Sequence, residues 1–475
     1  MDVKNVLAVY KQGPDAVISL VLRMNNRIQS LETRVQELEH RTKKNSKNSH
    51  RPPSSDGLKK PKVHSLRGKS EKKTGGQPGH IGHTLRQVAE PDTIIRHALT
   101  HCSGCHTSLT EEPVLHIKKR QVFDIPPITF EVTQHEVEQK ICPQCRQCEE
   151  SAFPHRVTNV TQYGPHVQQL IVYLKYHQHL SLERTVEFFR DICGQSLSQG
   201  TINHVLKTVS EQFRPLEEQL RTKLLQSPIA HCDETGFRNQ GKTEWVHTFS
   251  TGQMTLQYRH EKRGKEAMNS IGLLPAYQGV TVHDGWASYF TFEKCQHVLC
   301  NVHHLRELKG IHEQTKQSWA KELIDLLLAA KEAKKQAHGL LDHEQLLHFE
   351  KEFNHMLAQG EQLNPTLPKE KNSRGRQKQT PARNLLNRLR KYQDGVLAFL
   401  THPELPFDNN QAERDIRSIK VQQKISGSFR SDYGADHYLL VKSVFSTLKK
   451  QNKSIFHSLQ EFMETGTMDL DFPST

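Results

Sequence analysis

No apolar run in this sequence comes near the roughly 18 residues that a membrane span needs, and the N-terminal stretch lacks the apolar core of a secretory signal. Those two absences set the expectation of a cytoplasmic protein with no membrane partner. Apolar residues are scarce overall: they fill 35% of 475 positions, and mean hydropathy is -0.70. A chain of this length has room for about three domains. It can bury a core, but a good share of it must be linker or solvated helix. A disulfide framework is not expected either. Nine cysteines, an odd number in a long chain expected to be cytoplasmic, argue for metal binding or buried thiols.

What is abundant is positive charge, and it is unevenly placed. The net charge is +13, and between Arg41 and Lys73 twelve Lys and Arg face only Asp56 and Glu71, so this stretch alone carries +10. A block of that kind suits a polyanion, and nucleic acid fits best. A merely solvated tether is the plainer alternative, although a tether can also bind DNA. Ahead of it, Val17, Val21, Met24, Ile28, Leu31, Val35 and Leu38 alternate steps of four and three, an a/d seam over about three heptads. Residues 1–42 are therefore expected to form a coiled-coil-like helix that pairs copies of the chain, or else an amphipathic helix docked on its own protein. Residues 43–90, rich in Lys, Ser, Asn, Pro and Gly, cannot bury enough apolar surface to fold alone. Their basic residues, among them Arg51, Lys59 and Lys60, can still neutralise phosphates.

Residues 91–155 hold two Cys-x-x-Cys pairs, Cys102/Cys105 and Cys142/Cys145, with QVFDIPP and ITFEVTQHEVEQKI between them reading as short strands. Two such pairs suit a structural Zn²⁺ in a small β domain, because each presents two thiolates from one turn. Cys148 could stand in for Cys145, and His101 or His106 for a cysteine. Residues 156–225 are helical in pattern. Within them LSLERTVEFFRDICGQSLSQGTINHVLKTVS reads as a helix-turn-helix, with Gly194 at the turn and Ser198 or Gln199 as cap. Its second helix would offer Gln199, Thr201, Asn203, His204 and Lys207 to a major groove. An ordinary helical pair fits the same pattern.

Strand texture begins at 226. IAHCDETGF carries Asp233 on a short apolar run; TEWVHTFST and MTLQYRHEK follow as strands and GKEAMNSIGLL as a helix. GVTVHDGWASYF then puts Asp284 at the end of another strand, and HVLCNVHHLREL reads as strand into helix. Three strands, a helix, a strand and a helix is the order of a ribonuclease-H-like core, in which acids of the first and fourth strands lie side by side. That core would span 226–312, pause for a helical insertion over 313–402, and resume over 403–450, before a tail at 451–475. In the resumed part LPFDNNQAERDIRSIKVQQK delivers Glu413 on a helix capped by Asp408 or Asn409, with Arg414, Arg417, Lys420 and Lys424 beyond it placed to meet DNA phosphates. Asp415 is a second acid nearby, two helical steps round and so on another side. Hard Mg²⁺ (or Mn²⁺) ions take oxygen ligands and keep several waters, so three carboxylates suffice. A pair of such ions serves in-line phosphoryl transfer. His303 and Arg306 could position a phosphate or simply pack nearby. A second zinc site from Cys295, Cys300 and His303 is not expected, since no fourth ligand is evident.

Asp233-Glu234-Thr235-Gly236, Asp284-Gly285-Trp286-Ala287-Ser288-Tyr289, Cys300-x-x-His303-x-x-Arg306 and Asp408-Asn409-Asn410-Gln411-Ala412-Glu413-Arg414 closely resemble the insertion sequence 66 family of bacterial transposases. So do SKNSHRPPSSDG, GGQPGH, the paired Cys-x-x-Cys region and QVFDIP. This resemblance covers nearly the whole chain. It implies a multidomain α/β plus α protein with a zinc-binding region and a DDE-type catalytic domain, its acids falling on Asp233, Asp284 and Glu413. It also implies DNA, both transposon ends and target, as partner, nucleoid association, and small accessory proteins encoded beside this one. Two other functions stay open: a non-catalytic DNA-binding regulator or domesticated relic, and a nuclease of the same fold that cuts without joining.

Overall fold

In the computed structural model, which describes residues 3–43, 45, 48, 79, 85–368 and 377–472, helix α1 (Val3–Tyr10) turns through Gly13, at φ +103, into the long helix α2 (Pro14–Lys43). Proline suits the start of α2, where its missing N–H has no helical partner to lose. The heptad seam lies along α2, and among the described residues nothing covers it: Val21, Met24, Ile28, Leu31, Val35 and Leu38 are each about half exposed. Arg51, Lys59 and Lys60 fall outside the described residues. No described helix is long and apolar enough to cross a membrane.

Between 85 and 160 no residue is buried. Strands β1 (Gln139–Ile141) and β2 (Cys148–Glu150) pair antiparallel around the second Cys-x-x-Cys turn, with Ile141 opposite Cys148. A lone bridge, His101 opposite Ser108, frames the first turn in the same way. Apart from β1, the strands expected over QVFDIPP and ITFEVTQHEVEQKI do not form. Pro126 and Pro127 remove two ladder donors in succession. Val122, Ile125 and Val132 remain exposed instead of meeting a second sheet.

Four helices follow: α3 (Pro165–Val172), which runs into a π turn at Tyr173–His177, then α4 (Leu182–Cys193), α5 (Gln199–Gln212) and α6 (Arg214–Gln226). Gly194 ends α4 at φ +70, a conformation that favours glycine, and Ser198 caps α5 by accepting the Thr201 N–H. The sheet is built from β3 (Ile229–Asn239), β4 (Lys242–Ser250), β5 (Thr255–His260), β6 (Val280–His283) and β7 (Gln296–Leu299), in the order β5-β4-β3-β6-β7. β3, β4 and β5 form an antiparallel meander, whereas β3, β6 and β7 run parallel. Gln240 and Gly241, both at positive φ, make the two-residue turn from β3 to β4. Helix α7 (Lys265–Ile271) crosses from β5 to β6, and α8 (Asn301–Thr315) leaves β7.

The insertion has a core of its own. Helices α9 (Ser318–Gln336), α10 (His343–Leu363), α11 (Pro381–Lys391) and α12 (Gln393–Thr401) bury Trp319, Leu323, Phe353, Leu357, Leu386 and Phe399 together. Helix α12 covers the edge strand β7: a Cβ on Gly395 would lie 2.7 Å from the His297 carbonyl oxygen, so the close approach requires glycine. Helices α13 (Asn410–Ser426) and α14 (Asp432–Lys450) then return to the sheet, α13 against β3 and β4, α14 against β5. The segment expected as a tail folds: α15 (Ile455–Thr465) packs on α3, and Leu470 is buried beyond it. One main core runs through α3–α6, the sheet, α14 and α15.

Candidate active site

The parallel pairing of β3 with β6 sets Ile229 opposite Val280, Ala230 opposite Thr281 and His231 opposite Val282. Carried on by two residues, that register brings Asp233 level with Asp284. β6 ends at His283 while β3 continues to Asn239 beside β4 alone, so the sheet opens at the carboxyl end of β6. Parallel sheets take their ligands at such ends. Asp284 is held there by a turn: Gly285 reverses the chain at φ +85, and Asp284 Oδ1 accepts the Trp286 N–H at 2.9 Å.

Alternation along β3 gives its two neighbouring acids different work. Asp233 is half-buried. The Glu234 side chain is only 1% exposed, and both of its oxygens are occupied. One accepts from Arg263 Nε at 2.8 Å, the other from the Tyr289 hydroxyl. The Arg263 guanidinium lies 4.2 Å above the Trp286 ring and 4.9 Å from the Trp245 ring. Glu234 thus fastens β3 to the segment that follows Asp284. Arg263→Ala is expected to destabilise the fold by about 3 kcal/mol, the lower end for orphaning a buried charge because Arg263 is itself partly exposed. Urea unfolding would read this, and a loss below about 1 kcal/mol would refute the anchoring role.

Glu413 arrives on α13, whose first residues are stitched to the sheet. Asn409 donates from Nδ2 to the Cys232 carbonyl at 2.7 Å, its Oδ1 lies 2.9 Å from His231 Nδ1, and its N–H donates to Cys300 Sγ at 3.2 Å. Asn409 occupies the capping position by backbone, but its side chain is spent on β3. Asp408 supplies the cap instead, accepting the Asn410 N–H at 3.1 Å. Asp415 faces elsewhere: it pairs with Lys450 at 2.7 Å, and both side chains are almost buried. The same ammonium donates to the carbonyls of Thr251 and Met254, which uses all three of its protons to fix α13 and α14 to the β4–β5 turn. Lys420, expected among the phosphate-facing residues, turns inward and donates to the Gly236 carbonyl.

Burial, then Glu234, Asp284 and Glu413 in that order, push the Asp233 carboxyl well above the ordinary carboxylate range. Burial also raises Glu413, opposed by Arg306 and Arg417. Asp284 acts on both Asp233 and Glu413, and His303 stands beside the latter, its Nε2 4.0 Å from Glu413 Oε1. Among the described residues no three His, Cys, Asp or Glu side chains already stand at metal-holding distances. The donor set is nevertheless one that a hard cation suits: three half-buried carboxylates, whose oxygens are the ligands such an ion takes. Arg414 and Arg417 are exposed on α13, and Arg306 is half-buried on α8. On α5, Gln199, Asn203, His204 and Lys207 are exposed, while Thr201 turns its hydroxyl to Ser198 at 2.9 Å.

The two Cys-x-x-Cys turns are built alike. In each the first cysteine's N–H donates forward, Cys102 to Thr107 O and Cys142 to Gln147 O, and its carbonyl accepts from the fourth residue on, His106 or Arg146. His106 and Arg146 both sit at φ +60. In this correspondence Cys148 matches Ser108, on the strand arm outside the turn. Hydrogen bonds lower two of the thiols: Thr107 acts on Cys105, and the N–H groups of Cys145 and Gln144 act on Cys142. Arg263, Tyr289 and Lys450 carry no role read from sequence, and Asn409 only that of a candidate helix cap. Tyr289 and Asn409 stand inside the quoted motifs, whereas Arg263 and Lys450 carried no signal.

Residues 160–437, more than half of the chain and all three acids among them, match the model of the transposase IS66 family. The chain belongs to the IS66 transposase family. A second match, over residues 100–146, is to the zinc-finger binding domain of transposase IS66, and it contains both cysteine pairs. Residues 15–86 match a family of unknown function (DUF6444). No curated protein matches the chain. In this IS66 transposase, then, the zinc-finger domain precedes the domain that carries Asp233, Asp284 and Glu413.

Proposed function

We propose that this protein is a DDE transposase that cleaves transposon-end DNA and joins it to target DNA, with Asp233, Asp284 and Glu413 holding Mg²⁺ (or Mn²⁺). The single observation that carries the reading is the register of β3 on β6, which lines up Asp233 with Asp284 at an opening that α13 reaches with Glu413. The strand order and the acids' positions support a ribonuclease-H-like core. When bound, the cation supplies positive charge and polarisation to a phosphodiester under attack. The acids hold it; Arg306, Arg414 and Arg417 draw the phosphate chain towards them, and His303 orients Glu413. In cleavage, water's oxygen bonds to phosphorus and the 3′ oxygen leaves with a proton as a free hydroxyl. In joining, that hydroxyl's oxygen loses its proton and bonds to a target phosphorus. The bond from that phosphorus to the target strand's 3′ oxygen breaks, and the 3′ oxygen leaves with a proton as a hydroxyl.

Cys102, Cys105, Cys142 and Cys145 form the proposed Zn²⁺ site, two matched turns offering two thiolates each. The exposed seam of α2 supports pairing of chains, and α5 with the basic stretch supports DNA binding. Incubation of the purified protein with terminal-repeat DNA, target DNA and Mg²⁺ should yield nicked and then joined products. Nicks without joined product on any target would make it a nuclease only. Tight specific binding without metal-dependent nicking would make it a regulator.

A further inference from the structure

Helix α8 carries a glycine, Gly310, in its interior, where glycine is costly. A Cβ there would meet the Asn48 carbonyl oxygen at 2.4 Å, with the carbonyl carbon at 3.3 Å and Asn48 Cβ at 3.4 Å. A distant part of the chain therefore rests on α8 with its backbone, and only glycine admits it. The docked element closes on itself: Asn45 N–H donates to Asn48 Oδ1 at 2.8 Å, and Asn48 N–H to the Asn45 carbonyl at 3.3 Å. Asn48 Nδ2 also lies 3.5 Å from Glu313 Oε2, one turn beyond Gly310.

The place on α8 matters more than the contact. His303, Arg306, Gly310 and Glu313 are spaced by three, four and three residues, so they share one face of the helix. That face begins 4.0 Å from the Glu413 carboxylate, at His303, and reaches Gly310 seven residues later, about 10 Å along the axis. Asn48 in turn sits three residues before Arg51, inside the block that carries most of the chain's excess charge.

We propose that the Gly310 notch anchors the N-terminal arm at Asn48, on the same face of α8 that leads to the carboxylates. DNA drawn to the acids would then be held by Arg306 and by the anchored arm together. This second statement rests on the transposase reading above. The docking itself does not, and it can be tested without DNA or metal catalysis.

The test uses the full chain loaded with zinc, with Asn48→Cys and Glu313→Cys introduced together and a mild oxidant added. Four native cysteines are buried and the other five lie in or beside the knuckles, so the new pair is identified by its linked peptide. The expected product is a disulfide within one chain, formed at least tenfold faster than with Asn48→Cys and Thr315→Cys. Adding Gly310→Ala should slow it about tenfold, although alanine is the better helix former and the fold is kept. Equal rates for both pairs, no effect of Gly310→Ala, or links only between chains would each overturn the anchor. For the second statement, Gly310→Ala and Asn48→Ala in the otherwise native protein should each weaken end-DNA binding about fivefold and flatten its salt dependence. Unchanged affinity and salt slope would overturn the arm's place on the DNA path and leave the cutting assay to judge the transposase reading separately.

Discussion

Asp233→Asn should abolish metal-dependent nicking, by about a thousandfold or more, while leaving the fold as stable as before or more so. A thousandfold corresponds to about 4 kcal/mol of transition-state stabilisation, well within what removal of one essential catalytic group costs. The stability half of the expectation follows from the surroundings. Asp233 is half-buried beside Glu234, Asp284 and Glu413, and none of these neighbours welcomes another negative charge. An amide keeps the shape and removes the repulsion. The sign can be read by pH. A carboxyl whose pKa is raised on folding binds a proton in the folded state that the unfolded chain has already released. Stability in chelator should therefore fall as pH rises from the ordinary carboxylate range through the raised value. Thermal midpoints across that range should slope down for the native protein and less so for Asp233→Asn. A variant that nicks normally, or one that unfolds far below the native midpoint with an unchanged pH slope, would remove Asp233 from the proposed role.

Cys102→Ser is expected to have the largest structural effect of any single change. Residues 85–160 bury nothing, and Leu115, Val122 and Val132 are almost wholly exposed. A segment with so little apolar burial has no core to hold it, and small units of this kind depend on metals or disulfides. Structural zinc sites contribute about 10–16 kcal/mol of apparent binding energy at neutral pH, more than any contact described above. Bound zinc should drop from one ion per chain to none, and proteolysis between 85 and 160 should accelerate by more than tenfold. Cys148→Ser should retain the ion, because Cys148 corresponds to Ser108 outside the turn. Retention by Cys102→Ser, or loss by Cys148→Ser, would reassign the ligands.

The order of strands and helices around Asp233 and Asp284 was legible because each element has its own apolar period and its own turn residues. The division of labour between adjacent acids was not. Asp233 and Glu234 look alike in a motif, and only a partner 29 residues away, Arg263, makes one of them an anchor. Glu413 and Asp415 are separated by the same kind of fact, a lysine on α14. The strands expected in the zinc region illustrate the opposite error. Alternation was present, but a strand needs a neighbour, and no described strand lies beside Val122 or Val132. Asp408 and Asn409 were equal candidates to cap the helix; the Asn409 side chain holds β3 instead, a choice set by what lies across from it in space.

The path of the insertion has a consequence for the family at large. Together with α8 it fills the stretch between Cys300 and Asn409, and the ends of that stretch touch: Asn301 N–H donates to the Phe407 carbonyl at 3.0 Å, beside the Asn409–Cys300 contact. The detour closes on itself before it reaches the acids. Its length is thus decoupled from the geometry it interrupts, since a longer excursion between fixed ends adds closure entropy only slowly. The 51-residue interval from Asp233 to Asp284, by contrast, is locked by strand pairing. Among relatives the first interval should be nearly constant and the second free to vary, with whole helices gained or lost there while the three carboxylates stay in place.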